Sequence, residues 1–364
     1  MRERATLIRS KEIAMSDVDV SPEGVDPEAQ SGALATAADA IVDILSSATL
    51  PAPIRRNALK AFGRLCAAAV EIPVAYLEGV AEEKRAESKA RTRLITATAD
   101  QIANQLQVDP AYARAAVKKF GERVLRDQVN LEKVAEVAAI DLGESPPRGE
   151  QAESSNSEQP GMNDDWLNTF EKEASQKSTA EMQLLFGRIL AGEIRQPSRF
   201  SIKTLKLAGE LDGAAAKLFL RLCSTSISLR IRSNILDARV LALGGNAGSN
   251  SLGPFGLSFD QLNVLQEYGL IIPDYNSYFD YKFAVTNAEG KATLGIEFQR
   301  QTWVLVPTTA RSTDEPLRLH GVRLSKSGTE LLPILDLEQQ EVYSTALVEF
   351  FSTQGLQFTK VPTR

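Results

Sequence analysis

Apolar side chains recur at every third or fourth position along most of the chain from Ala33 to about Thr225. This spacing places them on one face of a helix. It predicts a series of helices at the following places: from Ala33 to Leu50, from about Ile54 onward, from Tyr112 to Val124, and from Leu131 to Leu142. Asp109 followed by Pro110 predicts a helix start, because Asp is a good N-cap and Pro fits the first helical turn.

The segment from Val74 to Gln107 predicts one long helix, roughly 50 Å at about 1.5 Å per residue. Between Glu82 and Arg93 it is polar on every side. A helix of this kind either bridges two packed regions or forms a partner-binding or coiled-coil arm. The segment has no continuous apolar heptad, which favours the bridge.

Residues 143–162 contain turn-forming and acidic residues and no large apolar residue before Met162. They predict a flexible acidic linker and a domain boundary. Residues 1–32 lack an apolar period and predict a disordered leader. The whole chain is thus expected to divide into five parts: the leader 1–32, a helical module with the long bridging helix at 33–142, the linker 143–162, a helical hairpin domain at 163–226, and a winged-helix-like α+β module at 227–364.

Polar residues at helix starts divide the region after the linker into four short helices. Asp164 or Asp165 is the expected N-cap of the first, and Ser178 with Glu181 has the capping-box spacing of the second. Ser201 and Asp212 are the expected caps of the third and fourth. Large side chains at helical spacing are expected to be buried here, namely Trp166, Phe170, Met182, Phe186 and Leu190.

The stretch from Trp166 to Leu205 resembles the bacterial family catalogued as domain of unknown function 2806 (DUF2806). The residues that carry the resemblance are Glu181-Met182-Gln183, Gly187-Arg188-Ile189-Leu190-Ala191-Gly192-Glu193, Pro197 and the run from Ser201 to Leu205, with Ile72-Pro73 and Tyr76-Leu77-Glu78-Gly79 upstream. The resemblance implies no activity and no catalytic residue. It suggests an accessory protein associated with mobile elements or phage defence. Within the motif, Arg188 and Glu193 are expected to form an ion pair or a helix-end contact.

After Ile227 the predicted elements become shorter. Gly244 to Gly256 predicts a flexible loop, since it lacks the spacing of a phosphate-binding loop. A short helix capped by Ser258 and ending at Gly269 is followed by several short apolar runs that predict strands: Leu270 to Ile272, Tyr281 to Thr286, Leu294 to Phe298, Trp303 to Val306, Leu317 to Leu324, and Leu356 to Val361. Further helices are expected at Thr329 to Leu335 and Glu341 to Phe351. This order predicts a winged-helix-like arrangement, so the expected fold class is mainly α (α+β).

Winged-helix modules bind DNA or proteins. The helix expected from Gln261 to Gly269 carries Glu267 as its one charged side chain, which disfavours direct DNA readout. The overall charge of −6 also disfavours a protein coated in nucleic acid, although it allows a local basic patch.

A local excess of basic residues does occur between Arg195 and Arg239. The basic side chains there are Arg195, Arg199, Lys203, Lys206, Lys217, Arg221, Arg230, Arg232 and Arg239, against the acids Glu210, Asp212 and Asp237. Arg199, Lys203 and Lys206 are expected on one helical face. The segment is either a solvated surface or a patch for nucleic acid or another anion, including the acidic linker of the same chain. The candidate residues for this patch are Arg195, Arg199, Lys203, Lys206, Arg230 and Arg232.

Catalytic chemistry has little support in the sequence. His320 is the single histidine, and Cys66 and Cys223 are the two cysteines, so a catalytic triad or a His/Cys metal site has few possible members. The cysteine usage favours the reducing cytoplasm. One enzyme hypothesis remains: Asp280 and Glu297 on neighbouring strands, with Lys282 or Arg300 as the cation, form a metal-dependent nuclease site.

The leading hypothesis is a non-enzymatic cytoplasmic accessory protein that binds an unknown protein partner or a second copy of itself. No catalytic, cofactor-binding or metal-ligating residue, no cofactor and no membrane insertion are predicted. The first alternative is a nucleic-acid-binding protein that uses the basic patch at 195–239. The second alternative is the metal-dependent nuclease.

Overall fold

The computed structural model describes residues 39–46, 50–66, 109–144, 161–232, 234–312 and 315–362. The leader predicted at 1–32 and the bridging helix predicted from Val74 to Gln107 lie outside the described residues. Most of the linker predicted at 143–162 does so as well. The five-part domain division therefore stays a prediction.

Before residue 227, all regular secondary structure in the described chain is helical. Residues 39–46 are helical, and six longer helices follow: α1 (Ala52–Leu65), α2 (Pro110–Glu144), α3 (Asp164–Ala174), α4 (Ala180–Arg195), α5 (Ile202–Glu210) and α6 (Gly213–Thr225). Helix α2 is continuous where the sequence predicted two helices. Its polar middle interrupts the apolar period without containing a proline, and ion pairs one turn apart join Lys118 to Glu122 and Arg123 to Asp127.

Most predicted helix starts are confirmed. The Ser201 hydroxyl accepts a hydrogen bond from the Thr204 N–H, and the Asp212 carboxylate accepts one from the Ala215 N–H. Two caps differ by one residue from the prediction. Asn163 caps α3 in place of Asp164 or Asp165, and Thr179 caps α4 in place of Ser178. Each actual cap is also a favoured N-cap residue, so sequence alone did not separate the neighbours.

A seven-stranded antiparallel sheet dominates the C-terminal part. Its strands are β1 (Ile227–Ile231), β2 (Asn234–Leu241), β3 (Ser277–Asp280), β4 (Ile296–Phe298), β5 (Gln301–Pro307), β6 (Arg318–Arg323) and β7 (Leu356–Lys360), and their order in the sheet is β3-β6-β2-β1-β4-β5-β7. Three helices accompany them: α7 (Phe259–Glu267), α8 (Lys326–Leu331) and α9 (Glu341–Thr353). No helix in the part of the chain that the structure describes is long and apolar enough to cross a bilayer.

The predicted fold class, mainly α with a small winged-helix-like C-terminal module, is therefore wrong. Helix α7 is capped by Ser258, as predicted, in a capping box with Gln261, and Gly269 ends it with φ of 72°, also as predicted. The strands after it, however, join a sheet whose centre is the β1–β2 hairpin, which the sequence did not predict. The run from Tyr281 to Thr286 is also not a strand, since a 3₁₀ turn covers Lys282–Ala284 and the strand precedes it.

Helices and sheet share one core. The predicted core residues Trp166, Phe170 and Phe186 are buried, and the first two rings stack with centroids 5.1 Å apart. On the sheet side, the Tyr343 hydroxyl of α9 accepts a hydrogen bond from the Leu241 N–H at 2.9 Å, which fixes α9 against β2. The core therefore holds the loop after α4 and strand β1 in fixed positions, and both carry candidate basic residues.

Candidate functional site

The loop between α4 and α5 is tightly held. Glu193, 1% exposed, accepts hydrogen bonds from the Ser198 N–H at 2.6 Å and the Phe200 N–H at 3.0 Å. The Trp166 indole N–H donates to the Phe200 carbonyl at 2.8 Å. A side chain at Gly192 has no room, because a Cβ there would lie 2.8 Å from the Phe200 ring. The loop that carries Arg199 is thus fixed by buried contacts.

Glu193 does not pair with Arg188. Arg188 instead donates to the Ile334 carbonyl at 3.0 Å and pairs with Asp336 at 2.7 Å, which ties α4 to the chain after α8. Burial raises the pKa of Glu193, although the backbone N–H donors of the loop lower it in part. The motif that resembles DUF2806 therefore forms a packing junction between helices, in which Glu193 holds the loop and Arg188 holds the C-terminal part.

Three arginines converge beside this junction, and we call Arg195, Arg199 and Arg230 the arginine cluster. Arg195 in the last turn of α4 pairs with Asp141 at 2.5 Å, and Arg230 on β1 pairs with Glu297 at 2.6 Å. Arg199 is half-buried and lies over the Phe200 ring, with its guanidinium carbon 5.4 Å from the ring centroid. Within the described ranges, the Arg199 guanidinium makes no hydrogen bond and no ion pair.

The cluster is an unfavourable environment for a third cation. Burial lowers the pKa of Arg199, and the positive charges of Arg195 and Arg230 lower it further. The carboxylates of Asp141 and Glu193 raise the same pKa in part. An arginine stays protonated even so, because its ordinary pKa is far above neutral pH. The cluster therefore holds a half-buried positive charge that an incoming anion would neutralise.

The other three candidate basic residues, Lys203, Lys206 and Arg232, are exposed. Lys203 and Lys206 are exposed on α5, one turn apart. Arg232 is exposed in the turn after β1, with φ of 53°. Arg199 precedes the cap of α5, so the prediction that it shares a helical face with Lys203 and Lys206 is wrong. The fold of the loop between α4 and α5, and not helical periodicity, brings Arg199 within reach of the charges of Arg195 and Arg230.

One cation near the cluster was assigned only to the nuclease hypothesis. Arg300 lies in the tight β4–β5 turn with φ of 62°, and it shares a small cavity with Arg230. That cavity has a volume of about 20 Å³, room for little more than one water molecule. This cavity beside Arg230 is therefore too small for a small organic ligand.

The two carboxylates of the nuclease hypothesis are far apart. Asp280 is on β3 and Glu297 is on β4, and three strands separate these two in the sheet. At about 4.8 Å per strand, this puts them roughly 19 Å apart. The Asp280 carboxylate accepts hydrogen bonds from the Lys282 and Leu317 N–H groups, and Glu297 is paired with Arg230. The prediction that these two acids lie on neighbouring strands is wrong.

His320 contacts an aromatic ring and a backbone carbonyl, and no acid or cysteine side chain in the described part of the chain. Its ring is exposed, packs 5.3 Å from Tyr278, and has Nδ1 3.0 Å from the Asn276 carbonyl. Among the described residues, no three His, Cys, Asp or Glu side chains are grouped so that they could hold a metal ion. Cys66 and Cys223 are buried and are not joined in a disulfide, and burial raises the pKa of the Cys223 thiol.

A buried ion pair on β2 is the strongest polar feature that sequence reasoning missed. Asp237 and Arg239 are 1% exposed each, and the guanidinium donates to both carboxylate oxygens, at 2.5 and 2.8 Å. Arg239 also donates to the Ser277 and Leu319 carbonyls, and the Tyr281 hydroxyl donates to Asp237. The sequence did contain a signal for this pair. Residues two apart on a strand point to the same face of the sheet, so an acid at 237 and a base at 239 can pair there.

The described chain is thus a helix-and-antiparallel-sheet protein with an arginine-rich surface where the two parts meet. The chain belongs to the DUF2806 family, because the family model described as "Protein of unknown function (DUF2806)" matches residues 114–348. This confirms the resemblance seen in the sequence. Neither the search of curated proteins nor the search of solved structures gave a match.

Proposed function

We propose that this protein is a non-enzymatic binding protein that holds the phosphate backbone of a nucleic acid on the arginine cluster and on the lysines of α5. The observation that carries the proposal is the position of Arg199. Its half-buried guanidinium feels the positive charges of Arg195 and Arg230 and has no ion pair in the described part of the chain. Guanidinium groups bind phosphate oxygens through two parallel N–H bonds.

The shape of the surface favours a polymer over a small molecule. The cavity beside Arg230 has about 20 Å³, far below the several hundred Å³ typical of small-ligand pockets. Lys203 and Lys206 are exposed cations on α5, the helix that follows the loop of Arg199. Separate cations on an open surface suit phosphates that are linked along a strand. The overall charge of −6 does not oppose this, since binding depends on the local field.

A triple variant tests the proposal. Arg199→Ala/Lys203→Ala/Lys206→Ala is expected to bind a fluorescently labelled 20-nucleotide RNA or DNA about 10- to 100-fold more weakly than wild type, because up to three phosphate contacts are lost. The matched control is Lys118→Ala/Lys119→Ala/Arg126→Ala, which removes three cations from the exposed part of α2. Fluorescence anisotropy measures both. Equal weakening by the two triple variants, or no binding by wild type, contradicts the proposal.

A second candidate, binding of a protein partner or of a second copy, is supported by apolar side chains on α2. Tyr112, Phe120 and Leu125 are 68%, 54% and 67% exposed, which is unusual for large apolar residues on one helix. The cytoplasm is the proposed location, in keeping with two cysteines that are not joined in a disulfide.

Self-association is the simplest form of this second candidate to test. If these side chains form a contact between copies, Phe120→Glu/Leu125→Glu is expected to change a concentration-dependent dimer into a monomer in sedimentation equilibrium. The control is Val342→Glu, which adds a charge at an exposed apolar position on α9. A wild-type protein that is monomeric up to about 100 µM, well above the ~1 µM dissociation constants of ordinary contacts, contradicts self-association.

A further inference from the structure

A second cleft lies on the sheet beside the start of β2, the end of β6 and the start of α8. Its volume is about 290 Å³, compared with about 20 Å³ for the cavity at Arg230. This approaches the volume of small-ligand pockets. The ladder between β6 and β2 runs from Leu241 to Arg239, and one more hydrogen bond joins the Leu324 N–H to the Ala238 carbonyl before the chain turns into α8. The cleft lies beside the earlier part of β2. We call it the β2–α8 cleft.

One wall of the β2–α8 cleft is apolar. Ile235 and Leu236 of β2 and Ile272 opposite them line it. Leu236 and Ile272 are each 37% exposed, although both belong to residue types that are usually buried. These side chains lie together in a concave site, so a ligand with an apolar part would remove them from water.

The other side of the cleft carries positive charge. The Arg323 Nε lies 3.4 Å from the buried Asp237 carboxylate, and the side chain is 48% exposed. Its two terminal nitrogens have no partner among the described residues. Lys326 is 84% exposed, and its amine is 3.9 Å from Glu330. The planar end of Arg323 is therefore free to donate two parallel hydrogen bonds.

The charge balance indicates how much negative charge the cleft accepts. Asp237 is already neutralised by Arg239, which holds both of its oxygens, and Lys326 is opposed by Glu330. Arg323 is then left as one uncompensated positive charge. A single negative charge on the ligand would balance it, and a doubly charged phosphate ester would exceed it.

We propose that the β2–α8 cleft binds an amphipathic monocarboxylate. The carboxylate accepts two hydrogen bonds from the Arg323 guanidinium, and the apolar chain lies against Ile235, Leu236 and Ile272. Asp237 fixes the guanidinium through Nε and so orients its terminal nitrogens. Each methylene group that enters the cleft is expected to tighten binding about three- to fourfold until the apolar wall is covered.

Isothermal titration calorimetry with straight-chain carboxylates tests this. Octanoate is expected to bind the full-length protein, butyrate at least about tenfold more weakly, and octylamine not measurably. Arg323→Gln is expected to weaken octanoate binding about tenfold or more. The matched control is Arg318→Gln, which changes an exposed arginine on the same strand outside the cleft and leaves binding unchanged.

Ile272→Asn is a second variant, and it acts on the apolar wall without touching the Asp237 contacts. It is expected to weaken octanoate more than butyrate, and circular dichroism checks that both variants are folded. Three results would each overturn the proposal: no saturable binding of octanoate, equal binding of octylamine and octanoate, or wild-type affinity in both Arg323→Gln and Ile272→Asn. The outcome is independent of nucleic-acid binding, because none of these residues belongs to the arginine cluster.

Discussion

Replacing Asp237 with alanine is expected to lower the free energy of unfolding by about 3–5 kcal/mol. The reason is that Arg239 is 1% exposed and keeps its charge when its carboxylate partner is removed. Two carbonyl contacts, to Ser277 and Leu319, remain, but neither carries a compensating negative charge. Urea unfolding followed by tryptophan fluorescence measures the change. A variant as stable as wild type contradicts the description of this pair as a closed, buried ion pair.

Two further variants separate the cost of leaving the Arg239 charge unpaired from the cost of losing the other contacts of Asp237. Asp237→Leu/Arg239→Met replaces both charges with apolar groups of similar size and is expected to recover most of the lost stability, because no uncompensated charge stays buried. Tyr281→Phe removes one hydrogen bond to Asp237 and is expected to cost about 1 kcal/mol. A double variant no more stable than Asp237→Ala is the contrary result.

Trp166→Ala is expected to cost about 3–5 kcal/mol, the usual range for removing a buried large aromatic side chain. The indole is 3% exposed, stacks on Phe170 and donates a hydrogen bond to the Phe200 carbonyl. The same change also loosens the loop that holds Arg199. We therefore expect weaker nucleic-acid binding in this variant even at temperatures where it remains folded.

Trp166→Phe is the matched control for this second effect. It keeps an aromatic ring near Phe170 and loses the indole N–H, so an intermediate loss of about 1–2 kcal/mol is expected. Thermal unfolding by circular dichroism ranks the three proteins. A loss below about 1 kcal/mol in Trp166→Ala would mean that the helices pack without this side chain.

The helical part of the fold was predictable because its signals are local. The caps at Ser201, Asp212 and Ser258, and the helix end at Gly269, each depend on residues within a few positions of one another. The error in α2 has the same origin, since local periodicity alone placed a boundary in its polar middle. The N-caps of α3 and α4 are Asn163 and Thr179, each adjacent in sequence to the residue predicted as the cap.

The sheet was not predictable in the same way, because strand pairing joins residues far apart in the chain. Strand β7 at the end of the sequence pairs with β5, and β1 pairs with β4 across about seventy residues. The central strand β2 contains Asp237 and Arg239 at core positions, and charged residues hide the apolar signal of a buried strand. Their mutual contact, together with the hydrogen bonds from Arg239 to the Ser277 and Leu319 carbonyls and from Tyr281 to Asp237, makes these positions compatible with a core.

The arginine cluster was predictable in composition and not in geometry. The excess of basic residues after Arg195 identified all three members. Their convergence depends on the loop held by Glu193 and on the placement of β1 beside it, which the sequence pattern does not contain. The same packing leaves the Arg199 guanidinium without an ion pair in the described residues, and this makes the surface a candidate anion site.

The salt dependence of nucleic-acid binding is the most direct test of the proposed function. The dissociation constant of the wild-type protein for a labelled single strand is measured between about 50 and 300 mM KCl and compared with that of Arg199→Ala. We expect the logarithm of the association constant (the reciprocal of the dissociation constant) to fall linearly with log[KCl], with a slope of roughly −2 to −4 for wild type and a slope smaller in magnitude by about 0.7–1 for the variant. Identical slopes for the two proteins, or affinity that does not change with salt, would contradict it.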